Sequence, residues 1–497
     1  MSRKGPFLRR VTAFLLAGSL SLAACTPVRN PATGEVQYTS MTPAEEAELG
    51  RKEHPKILKS FGGAYQDPQL AAYVNEVGER VARVSDTPQL RFTFTLLDTP
   101  VVNAFALPGG YVYVTRGLLA LVNNEAELAG VLGHEIGHVA ARHAALRYDQ
   151  ALLGQMGALG ATILGAVLLG DSGARLGADL GNLAATAYVQ GYSREQEYEA
   201  DELGIRYLVR AGYDARAMAS FLDTLERYDA LQAKLRGGRA QEVPSWLASH
   251  PRTVDRVRRA AARAMAAAGG MTNRDRLLAA IDGIVYGDSP AQGWVEGRSF
   301  VHPALRFRFT APEGIRLQNN PDRVVGVDKK RKRLLLFDMS QRKPGISLAR
   351  YVRRVWAEEV DLDRLEPGRT ARGYEAVIAI ARVRVGGEPR RVFLGAIAGE
   401  GGVVYRFFYL PRRMNRAERR RFEEILDSFE RLTPSAAAKL KPLRIVIHRV
   451  TRGETVDGLA ARMAIARLPR EYFLVLNALG RGMPLQPGQK VKLILRK

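Results

Sequence analysis

Five consecutive residues, His134-Glu135-Ile136-Gly137-His138, carry the clearest chemistry in this chain. Histidines four apart lie on one face of a helix, so both imidazoles can reach a single ion. The glutamate beside the first histidine stands where it can take a proton from a metal-bound water. Such a pattern serves metal-assisted hydrolysis, with zinc as the expected ion. Two protein ligands do not hold zinc tightly, and a catalytic site usually has three plus a water. A further acid must come from elsewhere, and the segment Ser193-Arg194-Glu195-Gln196-Glu197-Tyr198-Glu199-Ala200-Asp201 offers two pairs at helical spacing. Glu197 with Asp201 is one and Glu195 with Glu199 the other; spacing alone does not choose. In either pair one acid can bind metal while the other holds a ligand histidine. His143 lies about half a turn around the helix from His134 and is expected to point away.

The elements around these residues read as follows. Apolar positions recur with helical spacing over 43–59 and 68–84. Residues 91–96 alternate as a strand, and 103–115 read as a strand pair broken by Pro108-Gly109-Gly110. Asn123-Asn124 can cap a helix from about 125 to 146, with acids in its first turn. Helices are also expected over 193–210, closed by Gly212, and over 214–235. The uncharged stretch 151–170 has the length of a membrane span but is dominated by Gly and Ala. We expect it to form packed helices near the site in preference to an inserted span.

Four segments, NAFALPGGYVYVTRGLL (103–119), HEIGHVAARH (134–143), SREQEYEADELG (193–204) and SHPRTVDR (249–256), resemble the HtpX and CaaX-prenyl-protease family of zinc endopeptidases, in the family's order. The periplasmic BepA-like branch is the most similar, over about residues 40–265. The resemblance implies one zinc ion held by His134, His138 and Glu197, with Asp201 behind them and Glu135 as catalytic base. It implies that Asn103, Ala104 and Phe105 form an edge strand pairing with substrate backbone. It also implies that His250 and Arg256 approach the metal, where one of them could stabilise an oxyanion. The transmembrane helices of the family's integral members and the helical repeats of BepA-like proteins have no counterpart here.

The N-terminus supplies an address. Arg3, Lys4, Arg9 and Arg10 precede an apolar run, Val11 to Ala24, that is short for a bilayer span. It ends in Leu22-Ala23-Ala24-Cys25, and small residues leading into a cysteine resemble the bacterial lipobox, which implies acylation of Cys25 and membrane attachment. Cys25 is the only cysteine, so no disulfide is expected. The 74 Lys and Arg against 51 acids, a formal charge of +23, favour polyanionic surroundings. For an exported chain these are anionic lipid and wall polymers, with no nucleic-acid partner. The expected location is the periplasmic face of the envelope, the outer membrane in preference to the inner.

The fold class expected is α+β and multidomain. After the signal (1–25) and a polar tether (26–42), a mostly helical zincin-type metallopeptidase domain covers 43–290. An α/β sandwich similar to PsbP-like and Mog-type folds covers 298–433, with strands at 305–310, 323–328 and 333–339, a helix at 347–360, a hairpin at 389–410 and a helix at 415–432. The basic run 329–333 falls at a turn between strands. Residues 443–497 resemble a LysM module of order strand, helix, helix, strand, on Val450-Thr451-Arg452-Gly453-Glu454-Thr455-Val456 and Leu485-Gln486-Pro487-Gly488-Gln489. Such modules bind N-acetylglucosamine-containing glycans, which implies peptidoglycan beside protein or peptide substrates. Competing readings are a non-proteolytic chaperone-like protein and a peptidoglycan-tethering lipoprotein; the presence of Glu135 argues against the former.

Overall fold

The computed structural model describes residues 26–147, 191–235, 246, 250, 256, 259, 262, 269–385, 388–480 and 482–497. The expected signal with Cys25 and the uncharged stretch 151–170 lie outside the described residues. Among the described residues no helix is long and apolar enough to cross a membrane. The chain forms two compact units, Met1–Leu58 with Gly63–Ile284 and Arg444–Leu495, and Lys59–Gly62 with Val285–Leu443 and Arg496–Lys497.

In the first unit, much of the stretch expected as a tether is instead an antiparallel hairpin, β1 (Thr26–Arg29) and β2 (Val36–Thr39). Its turn closes because the Asn30 side chain accepts the backbone N–H of Ala32 at 2.8 Å, a local bond that a linker reading overlooks. Helices α1 (Pro43–Ser60) and α2 (Pro68–Ala82) follow near their expected spans. Asp67 caps α2 by accepting Leu70 N–H at 3.0 Å. Strands β3 (Thr93–Leu97), β4 (Ala104–Leu107) and β5 (Tyr111–Thr115) form a sheet of order β3-β5-β4, with β4 antiparallel to β5 and on the edge. The turn between β4 and β5 needs its glycines. Gly109 has φ +78°, and a Cβ there would sit 2.5 Å from Ala47 Cα.

Short helix α3 (Arg116–Leu121) leads into α4 (Glu125–Ala140), which carries the metal motif. Asn124 caps α4 as expected, accepting Glu127 N–H at 2.9 Å. All of α4 except Val139 is buried, so this helix is the spine of the unit. It stops earlier than its spacing predicts. Arg142 takes a left-handed φ of 57°, a conformation costly for a side-chain residue. The compensation is a buried bond from Arg142 Nε to Glu46 at 2.7 Å and one from Nη2 to the Met41 carbonyl at 2.7 Å.

Helices α5 (Arg194–Arg210), α6 (Arg216–Leu235) and α7 (Arg274–Ile281) complete this part. A capping box of Ser193 and Gln196 starts α5. Helices α4 and α5 meet at glycines: a Cβ on Gly204 would lie 3.0 Å from His134 N, and one on Gly137 would lie 3.1 Å from Leu203 Cβ.

The second unit holds a small sheet of β6 (Trp294–Glu296), β7 (Ser299–His302) and β8 (Phe307–Thr310). Its main sheet is antiparallel, of order β9-β10-β11-β15-β14-β13-β12. The strands are β9 (Arg316–Asn319), β10 (Val324–Asp328), β11 (Arg333–Gln341), β12 (Asp361–Arg369), β13 (Glu375–Val385), β14 (Glu388–Ala398) and β15 (Val403–Leu410). Helix α8 (Arg416–Asp427) buries Phe422, Ile425 and Leu426 against it, with Phe307, Phe309, Phe337 and Phe407 in the same core. The basic run does lie at the turn between β10 and β11, although Arg333 is drawn inward to Glu418 at 2.6 Å. The helix expected over 347–360 is short; α-helix covers only Leu348–Tyr351 before a π turn. Strand β12 was not expected from its sequence, Asp-Leu-Asp-Arg-Leu-Glu-Pro-Gly-Arg. As an edge strand it tolerates Pro367 and keeps charged side chains in water.

The C-terminal segment runs β16 (Leu443–Arg449), α9 (Val456–Arg462), α10 (Pro469–Leu476) and β17 (Lys490–Arg496), in the expected order. Lys492 on β17 is fully buried, and its Nζ donates to the carbonyls of Ala120, Leu121 and Val122 at 3.0, 3.1 and 2.8 Å, capping the C-terminal end of α3.

The glycine contact between α4 and α5 generates a prediction. Gly204→Val should push α5 off α4 and cost about 1–3 kcal/mol of stability, because backbone cannot yield as a side chain can. Urea unfolding checks it, and an unchanged midpoint would mean the two backbones are not in tight contact.

Candidate metal centre

His134 and His138 project from α4 with their rings at 83° and centroids 4.6 Å apart. Their Nε2 atoms lie 3.0 Å from each other. From α5, Glu197 Oε2 lies 3.6 Å from His134 Nε2, and Oε1 lies 3.5 Å from His138 Nε2. His250 completes the group, its Nδ1 at 3.1 Å from His134 Nε2 and 2.9 Å from Glu197 Oε1. All four residues are buried, and one donor atom of each lies within 4.8 Å of every other.

Tetrahedral zinc with bonds of about 2.0–2.1 Å holds its ligand atoms ~3.3 Å apart. The separations here bracket that spacing. Ring nitrogens and carboxylate oxygens converging in a water-excluded pocket would repel unless a cation or shared protons stood between them. The donor set therefore fits zinc, with His134, His138 and Glu197 as the expected ligands and His250 as a fourth donor in reach.

Glu135 sits beside the cluster with Oε1 3.4 Å from His250 Nε2 and 3.4 Å from Trp246 Nε1. Its Oε2 is buried with no hydrogen-bond partner among the described residues, as a carboxylate kept ready to accept a proton would be. Asp201 lies behind His134, its Oδ1 3.0 Å from His134 Nδ1. Arg256 grips Asp201 with two bonds of 2.7 Å and also contacts Glu197 Oε2. Glu195 is exposed, so the pair left open by spacing is resolved by burial. Asn103 is buried, and β4 begins at Ala104 on the sheet edge, with Phe105 part-exposed.

The electrostatics follow from burial and pairing. Burial penalises the Glu197 carboxylate, yet the neighbouring His250 and His138 hold its pKa far below the usual range. Asp201 is likewise lowered against its burial, by Arg256 and His134. Burial drives His138 well below its ordinary value, which suits a neutral ligand. For His250 burial acts downward, but the charges of Glu197 and Glu135 outweigh it and the pKa rises.

The expectation that His143 points away is wrong. The left-handed turn at Arg142 brings it back, so that its Nδ1 lies 2.8 Å from His138 Nδ1. Glu199 Oε2 is 3.2 Å from His143 Nε2, which gives Glu199 a connection to the site that spacing did not reveal. Two aromatic residues were also missed. Tyr192 stacks on His138 with centroids 3.7 Å apart, and Trp246 stacks on His250 at 4.8 Å. Trp246 stands four residues before His250, and its carbonyl accepts the His250 N–H at 2.8 Å, a spacing that could have flagged it.

Residues 68–264 match Peptidase family M48. Over that stretch the chain is similar to the M48 peptidases. The stretch contains both α4 and α5 and every residue of the candidate centre. The chain is 32% identical over 200 residues to the β-barrel assembly-enhancing protease of Escherichia coli K12, covering 39% of this chain and 40% of that one. It is 31% identical over 256 residues to the Yersinia pestis protein of the same name, covering 48% and 49%. Against the human mitochondrial metalloendopeptidase OMA1 the figures are 33% over 171 residues, 34% of this chain and 32% of that one. The chain thus spans half or less of the length of these relatives. The solution structure of cyanobacterial PsbP from Synechocystis covers 28% of this chain and 98% of its own at 17% identity, but its TM-score of 0.22 carries no argument.

Arg256 pairs with two acids of the candidate centre, Glu197 and Asp201. Arg256→Ala should leave Asp201 and Glu197 buried without it and cost roughly 3–5 kcal/mol in the metal-free protein. Denaturant titration of the chelated protein measures this; a loss under 1 kcal/mol would show that water reaches those carboxylates.

Proposed function

We propose that the protein is a zinc-dependent endopeptidase of the bacterial cell envelope, acting on misfolded or envelope proteins. The observation that carries this is Glu135, held with a carboxylate oxygen that has no partner among the described residues, beside a buried cluster of three histidines and a glutamate. Zinc bound by His134, His138 and Glu197 would acidify a water and polarise the scissile carbonyl. Glu135 takes the proton from that water and delivers it to the leaving amine. Asp201 orients His134 through Nδ1, and Arg256 holds Asp201 ionised while pairing with Glu197. Because Arg256 is committed to those acids, His250 is the residue of the pair placed to stabilise the oxyanion. Edge strand β4, with Asn103, Ala104 and Phe105, receives the substrate backbone as an added strand.

The relatives named for enhancing β-barrel assembly favour outer-membrane proteins among the substrates. We take Cys25 as lipidated, residues 298–433 as a PsbP- or Mog-like sandwich, and 443–497 as a LysM-like module contacting peptidoglycan. The order of β16, α9, α10 and β17 supports the last reading.

Glu135→Gln should keep zinc and fold while abolishing cleavage of casein, since the base is lost and the ligands remain. Metal analysis beside a proteolysis assay, with a chelator control, tests it; substantial residual cleavage would remove Glu135 from the mechanism. Cys25→Ala should release the protein from membranes into the soluble fraction. Retention after a carbonate wash would point to a span at 151–170 instead.

A further inference from the structure

We propose that His143 and Glu199 are positioning residues, a hydrogen-bonded chain that fixes His138 with its Nε2 toward the metal. The proposal rests on the reading of His134, His138 and Glu197 as zinc ligands. His138 turns Nε2 to the cluster, 3.0 Å from His134 Nε2, so Nδ1 is the nitrogen left over. That Nδ1 lies 2.8 Å from His143 Nδ1, a separation that requires one N–H between two ring nitrogens. On the far side of His143, Nε2 faces Glu199 Oε2 at 3.2 Å.

With a metal on His138 Nε2 and both rings neutral, one placement of protons satisfies these contacts. A metal-binding Nε2 carries no hydrogen, so neutral His138 holds its proton on Nδ1 and donates it to His143 Nδ1. His143 then holds its own proton on Nε2 and donates to Glu199, which as a carboxylate only accepts. The reverse order would put the His138 proton on Nε2, in the metal's place, and set the His143 Nε2 lone pair against the Glu199 carboxylate. The chain thus selects the tautomer that can bind metal.

Its members are held firmly. His143 is 1% exposed, and Asn30 in the turn of the β1–β2 hairpin donates to Glu199 Oε1 at 3.5 Å. His134 has its own orienting acid in Asp201. Each ligand histidine of α4 therefore has a carboxylate behind it, one directly and one through a second imidazole.

Zinc affinity, measured by competition with a chromophoric chelator, separates this from mere packing. His143→Phe keeps the ring volume but removes the acceptor, and should weaken zinc binding by roughly 10–100-fold. His143→Asn returns an acceptor oxygen near the Nδ1 position and should recover affinity to within a few-fold of the native protein. Glu199→Ala should weaken binding, and adding it to His143→Phe should cost nothing more, because Glu199 acts only through His143. Nitrogen-15 spectra of the zinc-loaded native protein should show His138 protonated at Nδ1. Equal losses in His143→Phe and His143→Asn, additive losses in the double variant, or a His138 proton absent from Nδ1 would each overturn the proposal. Circular dichroism of the metal-free variants checks folding, and Glu199→Ala, at a side chain 30% exposed, keeps the test alive should His143→Phe not fold. A native protein that binds no zinc would instead overturn the metal reading itself.

Discussion

Where α4 meets α5, Gly133, Gly137 and Gly204 leave almost no side chain between the two backbones, and the acids of one helix come within bonding distance of the histidines of the other. A Cβ on Gly133 would lie 3.2 Å from the Gly204 carbonyl oxygen, so the contact is close to the limit that sterics allow. The reach of a glutamate is short. Were the helices separated by even one methyl layer, Glu197 would fall short of the space His134 and His138 share, and Asp201 would lose His134. Everything chemical in the first unit depends on that approach.

The same closeness concentrates charge in a dry place. Glu135, Glu197, Asp201 and Arg256 are buried together with three imidazoles, and each isolated charge there would be costly. The arrangement is stable because Arg256 binds Asp201 and Glu197 on one side while the histidines face the carboxylates on the other. A divalent ion would add positive charge where the donor atoms converge. Binding and folding would then reinforce each other, since the ion would relieve repulsion that the polypeptide alone balances only in part.

Remote parts of the chain hold this arrangement in register. The β1–β2 hairpin reaches Glu199 through Asn30 and the end of α4 through Gln37, which donates to the Ala141 carbonyl at 3.3 Å. At the other end of α4, Arg274 donates to the Asn123 carbonyl at 2.7 Å and to the Lys490 carbonyl at 3.1 Å. Lys492 ties β17 to α3, where burial pushes the ammonium pKa far down and three carbonyls compensate. The C-terminal segment is thus part of the scaffold that aims the metal helix.

Local pattern alone determined a good share of this. The pair His134 and His138, the candidate base Glu135, the cap at Asn124, the β4–β5 turn at Pro108-Gly109-Gly110 and the βααβ order after residue 443 all depend on neighbours a few residues away. Periodicity and capping chemistry make such features visible in one dimension. Spacing left open which acid of 193–201 faces the site, and only the resemblance pointed to Glu197. The tertiary structure buries Glu197 and leaves Glu195 exposed, because the two differ in which surface of α5 they occupy. It also decided the fate of His143: helical spacing turned it outward, and the bond from Arg142 to Glu46 broke the helix and returned it to His138. Strand β12 was hidden for a related reason, since an edge strand exposed on its polar residues has no apolar alternation to read. Spacing reports which residues share a face. Which face meets which partner depends on contacts between residues far apart in the chain, and those contacts leave no periodic mark in the sequence.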